Sequence, residues 1–297
     1  MTILVTGSGG LVGKALRPAL AADGHDVLRL VRRPPLMPDE RQWNPTAAGL
    51  APDALEGVDA VVHLAGAGVA DKRWSPSRKA AIRDSRVRGT ALLAEGLAAA
   101  GTPPRTLVCA SAIGWYGDRG DELLDEGSEP GSGFLADVCR DWERAAEPAR
   151  AAGVRVVHLR LGMVLAGGGG ALAKMLTPFR MGVGGLLGSG RQWISWITVE
   201  DVVGVIRAAL AEDGIEGPVN AVTPGAVTNA DFTKALGRVL KRPTALPMPA
   251  FAARLAFGEV ADALLLSSTR VTPRVLQERG HAFAHPELEA ALRHLLT

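Results

Sequence analysis

Two features of the sequence could do chemistry. The first is Thr6-Gly7-Ser8-Gly9-Gly10-Leu11-Val12-Gly13, a glycine-rich run near the start. Glycines at this spacing let backbone N–H groups close around a phosphate. Gly7 would make the tight turn, Gly10 would let the chain approach a pyrophosphate, and Gly13 would let a helix pack on a strand. The second feature is a count. The chain has one tyrosine, Tyr116. Any chemistry that uses a phenol as acid or base runs through that residue or does not occur.

A glycine loop of this kind holds a dinucleotide only where it joins a strand to a helix at the head of an alternating α/β chain. The surroundings meet that condition. Residues 2–6 (TILVT) are a β-branched run expected as a buried strand. Residues 11–22 carry Val12, Ala15, Leu16 and Ala19 at helical spacing, with a kink expected at Pro18. Further strands are expected over 26–31, 58–64, 105–110 and 154–160, and helices over 78–100 and 134–152. This alternation predicts an α/β protein, a Rossmann doubly wound parallel sheet covered on both faces. The first helix would then turn its free N–H groups and positive dipole end toward the phosphates.

The end of the second strand bears on the cofactor. NAD binders place Asp or Glu there, to accept from the ribose 2′-OH. Here the residues are Val31, Arg32 and Arg33, and Asp26 lies at the other end of the strand. Two guanidiniums suit a 2′-phosphate, so NADP is expected ahead of NAD.

Composition narrows the class. Of 297 residues, 47% are apolar and 22% charged, enough for a substantial core. The 33 basic and 31 acidic residues nearly cancel, which argues against an electrostatic nucleic-acid partner. Two cysteines, Cys109 and Cys139, exclude a disulfide framework, and no His/Cys/Asp/Glu cluster has metal-ligand spacing. The opening MTILVTGSGG lacks a basic segment before a long apolar run, and no stretch suits a membrane span. A cytoplasmic location is expected, with a small-molecule substrate and a second copy of the chain (a homodimer) as partners.

After residue 162 the pattern changes. Gly167 to Gly170 is a four-glycine run, and half of 181–190 is glycine. These read as loops, of the kind that carry function near a crevice. A short strand and a helix are expected over 194–211. From 218 onward the alternation fades, until an amphipathic helix over 286–296 with Pro286 at its first position.

The arrangement TGxxGxxG resembles the extended short-chain dehydrogenase/reductases, which include nucleotide-sugar epimerases and dehydratases. His63-Leu64-Ala65-Gly66, Ser111 to Gly117 (SAIGWYG) and Ile197 to Val202 (ITVEDV) resemble three more of that group's segments. Lys72-Arg73-Trp74, Asp84-Ser85-Arg86, FLADVCRDWE (134–143), GGGALAKM (168–175) and GSGRQWISW (188–196) narrow the match. So do Gly258-Glu259, Leu264 to Leu266 and Arg274-Val275-Leu276. Together they resemble an atypical epimerase-family branch, of the SDR family 39U type and bacterial sugar-epimerase-like proteins labelled cell-division inhibitors. The resemblance covers nearly the whole chain. It implies an NADP-binding Rossmann unit over 1–163, with 194–217 returning to it. It also implies a smaller C-terminal α/β substrate lobe over 164–193 and 218–297. Cofactor neighbours would be Gly7, Ser8, Gly10, Leu11, Val12, Gly13, Arg32, Arg33, Leu64, Ala65, Gly66, Arg73, Ser111 and Arg160, with Gln42 and Trp43 flanking the adenine.

These enzymes use a Tyr general base beside a Lys four residues on, and a Ser or Thr that holds the substrate oxygen. Position 120, four after Tyr116, is Gly, so no such pair exists in the chain. In FLADVCRDWE the two positions fall on Phe134 and Val138 or on Leu135 and Cys139. The Ser/Thr position is Ser111 or Ala112. Tyr116 matches a turn tyrosine in that group. Candidate replacements for the acid or base are Asp137, Tyr116 itself, Ser111 and Cys139. Lys72, Arg191, Gln192, Trp193 and Trp196 are candidates for the substrate side. The expected function is an NADP-dependent epimerase/dehydratase-like oxidoreductase, or an NADP(H)-binding sensor without turnover.

Overall fold

Strand and helix alternate along the first two-thirds of the chain, and their order explains where a ligand can sit. The computed structural model describes residues 1–47, 49–51 and 53–296. β1 (Thr2–Thr6) leads through the glycine loop into α1 (Leu11–Ala22), then β2 (Asp26–Val31), β3 (Glu40–Asn44), β4 (Gly49–Leu50) and β5 (Ala60–His63). α2 (Pro76–Ala99), β6 (Thr106–Ala112) and a 3-10 turn (Ile113–Tyr116) follow, then β7 (Leu123–Leu124), α3 (Phe134–Arg144), α4 (Glu147–Ala151) and β8 (Arg155–Leu161). Next come β9 (Met163–Ala166), α5 (Gly170–Arg180), β10 (Trp193–Ile194), β11 (Trp196–Thr198), α6 (Val199–Ala211) and β12 (Gly217–Ala221). The chain closes with β13 (Val227–Thr228), α7 (Asn229–Leu240), α8 (Ala250–Phe257), β14 (Arg270–Val271), α9 (Arg274–Glu278) and α10 (Leu288–Leu296).

The main sheet has the order β12-β8-β6-β5-β1-β2-β3-β4. Every pairing in it is parallel except β3 with β4. One face packs on α1 and α6 through Leu16, Leu20, Val202, Ile206 and Ala209. The other packs on α2 and α4 through Leu93, Leu97, Ala146 and Ala149. Strand order reverses between β1 and β5, so a crevice opens beyond their carboxyl ends. A separate apolar core joins α5, α7 and α10 around Trp196 and Phe232.

Several expectations needed correction. The helix expected over 134–152 is two, α3 and α4, separated at Ala145 and Ala146. α10 begins at Leu288, so Pro286 precedes it rather than opening it. β3 was not expected. β12 was not either, and it pairs with β8 over Gly217 to Ala221, carrying the sheet past the expected boundary at 217.

The crevice floor is fixed by a short hydrogen-bond chain. Thr6 Oγ1 accepts from the N–H groups of Leu64 and Ala65, both at 3.1 Å. Its one proton therefore goes to His63 Nδ1, 2.7 Å away. That places the imidazole proton on Nε2, which has no hydrogen-bond partner. The ring meets Trp43 edge to face at 5.8 Å. Full burial lowers the His63 pKa from 6.5 to about 4. Between those values the unfolded chain binds a proton that the folded chain excludes. Stability is thus full above 6.5 and lost as pH falls toward 4, by about 3 kcal/mol from this residue. Denaturant melts across that window should show a slope shallower by about one proton in His63→Gln than in the parent; equal slopes would remove His63 from the account.

Candidate active site

The glycine loop lies at the point of strand reversal. Gly7 has φ +67°, and a Cβ there would stand 2.7 Å from the Leu64 carbonyl carbon. A Cβ on Gly13 would stand 2.4 Å from the Gly7 oxygen. Both positions therefore exclude any side chain. Gly10 caps α1 with no side-chain hydrogen bond, which leaves the first turn of the helix free to meet an anion. Leu11 packs under Gly169 and Gly170, which sets the four-glycine run against this end of α1.

Arg32 and Arg33 differ in their commitments. Arg33 forms a fork to Glu40, with Nη1 at 2.8 Å and Nη2 at 2.6 Å. Arg29 lies 3.1 Å from the same carboxylate, and the Leu36 N–H donates to it at 2.8 Å. The Arg33 hydrogen bonds, then that from Leu36, hold the Glu40 pKa down at about 2. Arg32 is exposed and enters no such pair among the described residues. Trp43 is in the core, 3% exposed, and Gln42 beside it is exposed. The expectation that Trp43 flanks an adenine is corrected: alternation on β3 turns it under α2, against Gly89 and His63.

The lone tyrosine belongs to a buried network. Arg160, at the end of β8, donates to Glu143 through Nε at 2.9 Å and Nη2 at 3.0 Å. Its Nη1 donates to the Tyr116 hydroxyl at 3.1 Å, and its plane lies 3.9 Å from the Trp115 ring centroid. The single phenolic proton serves Asn220 Oδ1 at 2.7 Å or the Asp125 carbonyl at 2.9 Å. Ser111 Oγ donates to Glu143 Oε1 at 2.7 Å. Burial pushes the Tyr116 pKa up to about 12, against the pull of Arg160. Tyr116, Ser111 and Arg160 thus face one another and Glu143, and their polar atoms are already bonded within the protein. Glu143 is the member that sequence reasoning missed. It was part of a quoted motif, but nothing in its spacing pointed to strands β6 and β8.

α3 packs against the SAIGWYG turn. A Cβ on Gly114 would lie 3.3 Å from Leu135 Cβ and 3.7 Å from Cys139 Sγ. Cys139 Sγ reaches the Ala112 carbonyl at 3.7 Å. Leu135 and Cys139 therefore lie beside Gly114 and Ala112 of the SAIGWYG turn. Burial, then the nearby Glu143, push the Cys139 pKa up to about 12. Asp137 is exposed and paired with Arg140 on α3.

The remaining candidates scatter. Arg73 donates to the Leu255 carbonyl at 3.0 Å, linking the loop after β5 to α8. Lys72 and Arg191 are exposed. Gln192 is buried and bonded to the carbonyls of Leu187 and Leu265. Trp193 is half-buried, with its indole N–H on Asp121. Trp196 is fully buried in the separate core, so it does not line a substrate side. Among the described residues, no cluster could hold a metal ion and no helix is long and apolar enough to cross a membrane.

Comparison with known proteins follows from this geometry. The NAD dependent epimerase/dehydratase family matches residues 3–221, and a domain of unknown function matches 248–295. The chain is 46% identical over 295 residues to epimerase family protein Mb2239 of Mycobacterium bovis, covering 99% of this chain and 97% of that one. It is 35% identical over 300 residues to epimerase family protein SDR39U1 of Homo sapiens, covering both chains fully. The crystal structure of human SDR39U1 with NADPH superposes with a TM-score of 0.92 at 34% identity, over 99% of each chain.

The ion pair in the network is almost wholly covered, with Arg160 3% and Glu143 10% exposed. Glu143→Gln should destabilise the protein by about 3–5 kcal/mol, because it strands a buried guanidinium. The double change Glu143→Met with Arg160→Met should cost less than that single change. Urea melts of the three proteins test this, and a double variant weaker than the single would contradict it.

Proposed function

From the premise that this chain belongs to the NAD dependent epimerase/dehydratase family, we propose that it binds NADP(H) in the crevice at β1 and β5. We further propose that it acts there as an oxidoreductase on a small molecule without a Tyr–Lys proton relay. The observation that carries the reading is the glycine cradle, where two positions leave no room for a Cβ above an uncapped helix N-terminus. The NADPH held by the human relative supports the same choice of cofactor. Bound NADPH supplies hydride chemistry. This chain supplies the cradle for the phosphates, and Arg32 for the 2′-phosphate. No carboxylate competes for a 2′-OH, because Glu40 is taken up by Arg33, Arg29 and Leu36.

We assign Ala112, Leu135 and Cys139 to the positions that the family resemblance gives to Ser, Tyr and Lys, a choice supported by their closeness to the SAIGWYG turn. None of the three moves a proton near neutral pH. Losing general acid–base catalysis costs about 10²–10⁴ in rate, which slows turnover without abolishing it. The same observation favours a second reading, an NADP(H)-binding sensor or regulatory protein with no turnover.

Fluorescence titration should show tighter binding of NADPH than NADH. Arg32→Gln should weaken NADPH by about tenfold and leave NADH unchanged; equal losses for both would refute the 2′-phosphate role. NADPH consumption against a broad carbonyl panel separates the two readings, since silence with tight binding selects the sensor. Any turnover found should survive Tyr116→Phe in the folded protein. Loss of turnover with cofactor binding intact would restore Tyr116 as the acid and overturn the relay-free mechanism.

A further inference from the structure

One half-buried cation beside the crevice meets no carboxylate among the described residues. Arg86 projects from α2 toward the carboxyl end of β5. Its Nη1 donates to the carbonyls of Ala67 at 2.9 Å and Ile82 at 3.1 Å. The guanidinium carbon lies 4.9 Å from the Trp142 ring centroid. On its other side is Gly66, where a Cβ would stand 3.3 Å from that carbon and 3.5 Å from Nη2. The guanidinium is thus held between an indole and a residue that gives way to it. Nε and Nη2 have no partner among the described residues.

Three other well-covered arginines meet carboxylates: Arg29 meets Asp39, Arg160 meets Glu143, and Arg155 has Asp213 at 3.7 Å. Arg86 meets none. Its ionisable neighbours are the Cys139 thiol and another guanidinium, Arg78, and burial lowers its pKa. A half-covered guanidinium with free donors and no carboxylate beside it favours an anion supplied from elsewhere. Nη2 and Nε form a planar fork that suits a carboxylate or a phosphate. The fork sits beside Gly66 and Cys139, at the ends of β5 and β6, where the proposed cofactor and its reaction partner would meet.

We propose that Arg86 is an anion-binding residue of this crevice, whose free donors take an oxyanion of the bound ligand, a phosphate or a carboxylate. The inference rests on the crevice being a ligand site, as in the proposed function. It adds a residue and a ligand chemistry to that site. Carbonyl pinning of Ala67 by Nη1 is the purely structural alternative, and it makes no use of Nη2 or Nε.

The test uses the full chain and the variants Arg86→Lys, Arg86→Gln and Arg86→Met. NADPH is titrated by fluorescence. Inorganic phosphate and malonate are added to the free and the NADPH-saturated protein, with melting temperature as the readout. If the oxyanion belongs to the dinucleotide, Arg86→Gln weakens NADPH by about tenfold or more, and Arg86→Lys recovers part of the loss. If it belongs to the second ligand, NADPH affinity holds. Stabilisation of the parent by phosphate or malonate then disappears in Arg86→Gln and Arg86→Met. Variants that bind NADPH within about twofold of the parent and answer both anions as the parent does would overturn the assignment. So would variants that lose only folded stability. A parent that fails to bind NADPH defeats the proposed function instead, and the phosphate and malonate arm on the free protein still decides the role of Arg86.

Discussion

The ion pair between Arg160 and Glu143 is the contact on which the arrangement of the site depends. A guanidinium at the end of a central strand cannot stay charged in the core without a carboxylate beside it. Glu143 on α3 meets that need with both oxygens. It also takes the Ser111 hydroxyl, so α3 is locked to β6 and β8 together. The remaining Arg160 donor orients Tyr116, and Asn220 beside the phenol donates onward to the Thr272 carbonyl. The backbone N–H of Asn220 reaches Glu126, which also accepts from the N–H of Val275. One charge pair thus sets the pose of a helix, a turn, the edge strand β12 and the segment leading into α9.

That placement explains why the lone tyrosine is not free to act. A general base must offer an unoccupied lone pair to the substrate and have a pKa near the working pH. The Tyr116 oxygen is buried, receives from Arg160, gives its proton to the protein and titrates near 12. Its value lies in satisfying a buried charge and a buried amide, which is structural work. Ser111 is diverted in the same way by Glu143. Nearby, the Cys139 thiol is buried against the Ala112 carbonyl, and burial raises its pKa to about 12.

How much was legible from sequence depended on whether a contact is local. The glycine loop was readable because its geometry is a property of consecutive residues. Gly7 and Gly13 are forced by backbone a few residues away and by the adjoining end of β5. The alternation of elements was readable for the same reason. Trp43 was misplaced because β3 is a short strand rich in polar residues, whose facing is set only by pairing with β2. Arg33 looked as free as Arg32, yet the turn over residues 34–39 folds Glu40 back onto it. β12 was hidden by Gly217 and Pro218, which weaken a strand signal although its partner β8 supplies a complete ladder. The packing of α3 could not be read from FLADVCRDWE alone, because its neighbour Gly114 lies on another element.

Two arginines near the strand ends, Arg160 buried and Arg86 half-buried, differ in what the fold gives them. Arg160 is neutralised within the fold, so its contribution is complete before any ligand arrives. Arg86 is half-buried and meets no carboxylate, so its Nε and Nη2 remain open to a ligand anion. The polar groups of Ser111, Tyr116 and Arg160 are used up within the fold, whereas Arg86 keeps free donors, and that contrast is the basis on which we propose it for an anion.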